Sequence, residues 1–217
     1  MANDAYVLSD EAALRAVIGA EIPGLALKVD SELTVDAVEF IAASPFVVLS
    51  TCSAAGSLDA SPKGDAPGFV HIEDNRTLLI PDRPGNKLVF GHLNILSNPR
   101  VGLLFMVPGT AETLRVNGRA ELTANPDLLA LLAARGKPAV LAIRVHVDEC
   151  FFHCGKAFIR SQLWQSETWP ARKVISFGRM LAKKVGGAVA QNQNAEKAAH
   201  TAAQIDAAVA ADYRDNL

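Results

Sequence analysis

Between Thr113 and Leu122 the chain alternates. Leu114, Val116, Gly118, Ala120 and Leu122 fall on one side, and Arg115, Asn117, Arg119 and Glu121 on the other. A period of two with one apolar and one polar side is the pattern of a half-buried β-strand. Val140 to Val147 repeats it, setting Leu141, Ile143, Val145 and Val147 against Arg144 and His146. Phe46 to Cys52 is instead a continuous, β-branched apolar run bounded by Pro45 and the turn-prone Ala55-Gly56, which predicts a strand entering a hairpin. Leu58 to Lys63, Phe69 to Ile72, Thr77 to Ile80 and Val101 to Val107 complete the strand candidates, each bounded by Gly, Pro, Asp or Asn. Short strands at this spacing favour a mainly antiparallel sheet, closed or partly split into a small barrel, over a βαβ arrangement.

Helical spacing appears only around these strands. Asp10 to Gly19 puts Leu14, Val17 and Ile18 on one face, and Thr34 to Ala43 does the same with Val35, Val38 and Ile41. Lys87 to Ser97 and Asp127 to Ala134 also read as helices. An alanine-rich tail, Ala195 to Ala211, follows a polar Gln191-Asn192-Gln193-Asn194 hinge and is expected to pack on a neighbour, with Tyr213 and Leu217 as anchors. The division expected is N-terminal helices over residues 1–44, a barrel over 45–170 and a helical extension over 171–217. There is no internal repeat.

Composition narrows the function classes. The chain has 217 residues, 50% hydrophobic and 20% charged, with a formal net charge of -2. That is ordinary for a globular domain and gives no overall field to attract nucleic acid. No apolar run reaches the roughly 18 residues a membrane span needs, so neither a membrane nor nucleic acid is an expected partner. Three cysteines are too few for a disulfide framework, and no basic segment followed by an apolar stretch opens the chain. A cytoplasmic location is therefore expected.

Two segments carry candidate chemistry. The first joins Ser61-Pro62-Lys63-Gly64-Asp65-Ala66-Pro67-Gly68-Phe69-Val70 to Ile80-Pro81-Asp82-Arg83-Pro84-Gly85-Asn86-Lys87. Each half ends a strand in a cation beside a tight Gly/Pro turn, and a helix is expected to start near Asn86-Lys87. Exposed backbone N–H groups together with Lys and Arg suit a phosphate. Plain hairpins with hydrated cations would use the same residues. The second segment runs from Cys150 to Trp164. A structural zinc site wants four ligands, and besides Cys150, His153 and Cys154 only Cys52 remains among the cysteines, so no metal is expected. His153 and Cys154 are adjacent and would point apart on a strand, which argues against a thiol enzyme. Lys156, Arg160, Ser161 and Trp164 remain as a basic and aromatic set suited to a planar, phosphorylated ligand, with Trp164 equally able to serve as a core anchor.

Taken together, Ser61-Pro62-Lys63-Gly64-Asp65, Pro67-Gly68-Phe69-Val70, Ile80 to Lys87, Asn94-Ile95, Asn98-Pro99, Val101 to Phe105, Thr113 to Ala120, His153 to Ser161 and Leu163-Trp164 resemble the pyridoxamine 5'-phosphate oxidase-like FMN-binding split-barrel superfamily. The closest likeness is to its branch of FMN-dependent enzymes of unassigned substrate, over roughly Phe40 to Trp169. The resemblance implies a six-stranded split β-barrel and a homodimer with FMN in the cleft between subunits. It implies FMN contacts from Ser61, Lys63, Arg83, Asn86, Lys87, Arg160, Ser161 and Trp164. Asn86 departs from the Arg usual at that place, a loss that Arg83 can make good. The C-terminal Arg/His signature of the vitamin B6 oxidases is not found, so that reaction is not the expected one.

The function expected is an FMN-dependent oxidoreductase acting on a small substrate. The alternatives are a flavin-binding or storage protein, or a split barrel using F420 or haem, since a fold does not fix a function. No catalytic residue is assigned; His71, Asp65 and His153 are the groups near these motifs able to move protons.

Overall fold

The computed structural model describes residues 6–181 and 195–215. The Gln191 to Asn194 hinge and Leu217 lie outside the described residues. Seven strands form one antiparallel sheet: β1 Phe46–Cys52, β2 Leu58–Gly64, β3 His71–Asp74, β4 Thr77–Asp82, β5 Arg100–Met106, β6 Thr113–Thr123 and β7 Leu141–His153. Their order is β2-β1-β5-β6-β7-β4-β3, so the sheet is open, with β2 and β3 at its edges. This is the split-barrel architecture, with seven paired segments where the resemblance implies six.

The core follows from the alternation. Val47 and Leu49, Val101, Leu103 and Phe105, Leu114, Val116 and Ala120, and Ile143, Val145 and Val147 are buried in one cluster with Leu78 and Ile80. The opposite side of β6 and β7 is tied by polar pairs such as Arg144 with Glu121, at 3.1 Å directly across the ladder. In β4 every residue from Thr77 to Pro81 is buried, because Leu79 faces away from the main core into a second cluster with Leu132, Ala139 and Ala142.

A bulge breaks the β6–β7 ladder at Asn117/Gly118, where Asn117 pairs with Glu149 and Gly118 with Val147. The extra residue, Asp148, reverses the parity of β7, so Cys150 joins the core face that the sequence pattern ends at Val147. β7 continues to His153, six residues past the expected end, because β6 pairs it out to Thr113; beyond the reach of β4 its other side exchanges hydrogen bonds with Asp30 at Cys150.

The helices are α1 Glu11–Ile18, α2 Val35–Ala43, α3 Phe90–Ser97, α4 Pro126–Leu131, α5 Lys156–Ser161 and α6 Ala195–Asp215. α2 is capped by the Thr34 hydroxyl and buries Ala37 and Ile41, whereas α1, capped by Asp10, buries no residue. In the tail, Asp206 accepts hydrogen bonds from Ser176 Oγ at 2.5 Å and from the Gly178 N–H at 2.8 Å; Tyr213 is exposed. No helix among the described residues is long and apolar enough to cross a membrane.

The expected helix start at Lys87 is corrected. Lys87 and Val89 both take positive φ, 59° and 49°, and the helix begins only at Phe90. Asn86 Oδ1 accepts from the Leu88 N–H at 3.0 Å, a local turn that competes with helix and holds the chain out of it. The Phe69 to Ile72 strand is likewise displaced to His71–Asp74, after a turn in which the Phe69 N–H bonds Ala66 O.

Candidate functional site

β2 is an edge strand with an inverted pattern. Asp59, Ser61, Lys63 and, just beyond it, Asp65 lie on its half-buried side, while Leu58, Ala60, Pro62 and Gly64 are exposed. Edge placement also explains how Pro62 is tolerated within a strand, since no ladder partner waits for its missing N–H. A row of charged and hydroxyl groups turned inward is costly unless each group is paired.

The pairs come from across the split. Lys63 Nζ donates to Asp82 Oδ1, joining β2 to the end of β4. Arg83 Nε donates to Asp65 Oδ2 at 3.0 Å and an Arg83 terminal nitrogen donates to Leu132 O at 2.9 Å. Arg135 adds a second contact to Asp65 at 3.5 Å. Asp65 is 6% exposed and Lys63 16%. Side chains therefore close the opening that the backbone ladders leave.

α3 lies over the same row. A Cβ on Gly91 would stand 3.0 Å from Asp59 Oδ2 and 3.5 Å from Ser61 Oγ, so the helix start rests against these two groups. Ser61 Oγ donates to Asp59 Oδ2 at 2.5 Å, and Asn94 Nδ2 donates to the buried Thr51 Oγ1 at 3.0 Å. His92 Nε2 is 3.5 Å from Asp82 Oδ2, an ion-pair distance that does not amount to a formed hydrogen bond. Burial pushes the Asp82 carboxyl up, but His92 and Lys63 outweigh it and hold the group below its ordinary value.

The structure thus brings Ser61, Lys63 and Arg83 together, with Asp65 added from the proton-transfer candidates. Asn86 and Lys87 follow on the exposed turn before α3, and among the described residues Lys87 makes no ion pair. Arg160, Ser161 and Trp164 follow β7, and among the described residues none of them forms a hydrogen bond or ion pair with the β2 row. There Trp164 stacks on Phe158 with ring centres 5.5 Å apart and donates its indole N–H to Thr110 O at 2.8 Å. Arg160 is exposed, and Ser161 Oγ donates to Phe158 O at 3.2 Å.

His71 is half-buried on β3. His153 ends β7 with its pKa lowered by burial and by the positive charges of Arg115 and Lys28. The residues that sequence reasoning did not pick out are Asp59, Asp82, His92 and Arg135. The alternation Asp59, Ser61, Lys63, Asp65 was a readable signal for the first; nothing local marks the other three as neighbours of β2.

The model of the family described as pyridoxamine 5'-phosphate oxidase matches residues 33–154, more than half of the chain. The chain belongs to the pyridoxamine 5'-phosphate oxidase family. A comparison with curated proteins finds no match. Among solved structures, this family member is similar to Group A Streptococcus HupZ, at 17% identity over 55% of this chain and 93% of that one, with a TM-score of 0.46. It is similar to a Clostridium acetobutylicum protein related to general stress protein 26, of the pyridoxinephosphate oxidase family, at 14% identity over 55% and 87%, TM-score 0.44. It is also similar to an FMN-binding protein from Syntrophomonas wolfei, at 8% identity over 53% and 80%, TM-score 0.41.

Proposed function

We propose that this chain binds FMN and works as an FMN-dependent oxidoreductase on a small substrate, as a cytoplasmic homodimer with the cofactor between subunits. Family membership over residues 33–154 supports a flavin-type ligand. The observation that carries the reading is the inward polar row of β2 facing Arg83 and Asp82 across the split.

The donor set fits a phosphate. Lys63, Arg83 and Arg135 are balanced by Asp82, Asp65 and the Asp59 carboxylate of the same row, and Lys87, four residues beyond Arg83, adds a cation to that set. Ser61 adds a hydroxyl to the row. Cations and N–H groups in a half-dry site favour a dianion strongly. Arg160, Ser161 and Trp164, which bond to nothing on the β2 row within the chain, complete the cofactor contacts when a second subunit brings them to the first. When bound, FMN supplies a ring that accepts and returns a hydride, and the chain supplies orientation, charge and shape.

The test is titration of the purified, flavin-free protein with FMN, followed by absorbance, for wild type and for Lys63→Ala and Lys87→Ala. Each variant weakens binding by about 1.5–3 kcal/mol, the value of one charged hydrogen bond. Unchanged affinity in both overturns the phosphate assignment, and no binding at millimolar FMN overturns the flavin. Bleaching by NADH or NADPH with recovery in air marks an enzyme; bound flavin that neither nicotinamide reduces marks a storage protein.

A further inference from the structure

Asp82 is held from two sides. Its Oδ1 takes the Lys63 ammonium from β2, and its Oδ2 faces His92 Nε2 from α3 at 3.5 Å. The three side chains are 19%, 16% and 14% exposed respectively. His92 Nε2 itself is shut off from solvent and forms no hydrogen bond, so Asp82 is the polar group it faces. The other charges around the pair are Asp59 of β2, beside Gly91 at the start of α3, and the Asp65, Arg83 and Arg135 cluster adjoining β2.

A carboxylate and a phosphate compete for the same ammonium, because each is an anion that wants a charge-assisted hydrogen bond. Lys63 therefore cannot grip a phosphate at full strength while it serves Asp82, and Asp82 cannot be left half-buried and unpaired without cost. His92 is placed to resolve the conflict. Protonated, it donates to Asp82 Oδ2 and replaces the charge that Lys63 withdraws.

We infer that Asp82 is a built-in stand-in for the ligand's phosphate, and that His92 is the positioning residue that takes it over. In the exchange Lys63 leaves Asp82 for the incoming phosphate, and one proton passes from solvent to His92, so that each anion ends beside a cation. The inference rests on the phosphate reading above and adds its regulation: binding takes up a proton and strengthens as pH falls.

The experiment uses the full chain, Asp82→Asn and His92→Gln, each titrated with FMN at pH 6 and pH 8, with calorimetry at pH 7 in two buffers of different ionisation heat to count protons. The FMN phosphate itself ionises near pH 6, equally for all three proteins, so the difference between wild type and His92→Gln isolates the histidine. Asp82→Asn binds FMN about tenfold more tightly, the order expected when one charged hydrogen bond no longer competes. His92→Gln loses affinity at pH 6 more than at pH 8 and takes up fewer protons than wild type. Equal or weaker binding by a folded Asp82→Asn, or identical proton counts for wild type and His92→Gln, overturns the exchange. If Asp82→Asn does not fold, the proton count of His92→Gln decides alone. Absence of FMN binding in every protein overturns the flavin reading instead.

Discussion

Asp65 and Arg83 face each other across the split in the sheet at 3.0 Å, one just past the end of edge strand β2 and the other just past the end of β4. Neither strand is hydrogen-bonded to the other, so this contact and the Lys63–Asp82 pair do the joining that a backbone ladder does elsewhere. The Asp65 carboxylate is nearly buried, and its loss strands two guanidinium groups, Arg83 and Arg135. Asp65→Ala is expected to lower stability by about 2 kcal/mol, within the range for a lost charged hydrogen bond. Urea unfolding measures this, and a change within experimental error would mean that the split is not held by this pair.

Asp82 makes the stability of the fold pH-dependent. Burial raises its carboxyl, yet His92 and Lys63 bring the folded value below the ordinary 3.8. A carboxyl depressed on folding contributes stability that is complete above its unfolded value and disappears as pH falls through the folded one. Wild type is therefore expected to lose its advantage over Asp82→Asn below about pH 4. Thermal unfolding of both proteins from neutral pH downward checks this; parallel curves throughout would show that the pair adds nothing.

Gly118 is required by a close approach. A Cβ there would lie 2.1 Å from His146 O, backbone that cannot swing aside, at the bulge where β6 meets β7. Gly118→Ala should cost about 3 kcal/mol, the upper part of the usual overpacking range. Full stability in that variant would place the bulge elsewhere.

The cysteines should differ in reactivity. Burial, reinforced by the negative charge of Asp30, pushes the Cys150 thiol up to about 11, while Cys154 is exposed. Thiols react as thiolates, so an alkylating reagent at pH 8 should modify Cys154 in the native protein and reach Cys150 only after unfolding. Peptide mass mapping separates the two, and early labelling of Cys150 would contradict its place in the core.

Strand alternation was legible because it is a local property. Leu114 to Leu122 and Leu141 to Val147 state in sequence which side faces oil and which faces water, and the main-core residues of β6 and β7 follow that pattern as far as the bulge, with Ala142 buried on the other side in the second cluster. The motifs at Ser61 to Lys63 and Ile80 to Lys87 were also local and offered Ser61, Lys63, Arg83, Asn86 and Lys87 together as a cofactor site. The helix start at Phe90 was not, because the Asn86 turn and the left-handed Lys87 and Val89 override an apolar spacing that begins earlier.

The residue pattern alone determined the mainly antiparallel β architecture, most of the core faces and the segments rich in cations. Only the tertiary structure decided what those cations face. Residues 63 and 82, and 65 and 83, meet because the sheet coils until its β2 edge comes opposite β4, a closure that no periodicity within one strand encodes. Charge pairing acts through space over a few ångströms, whereas a sequence pattern reports only the two sides of its own strand.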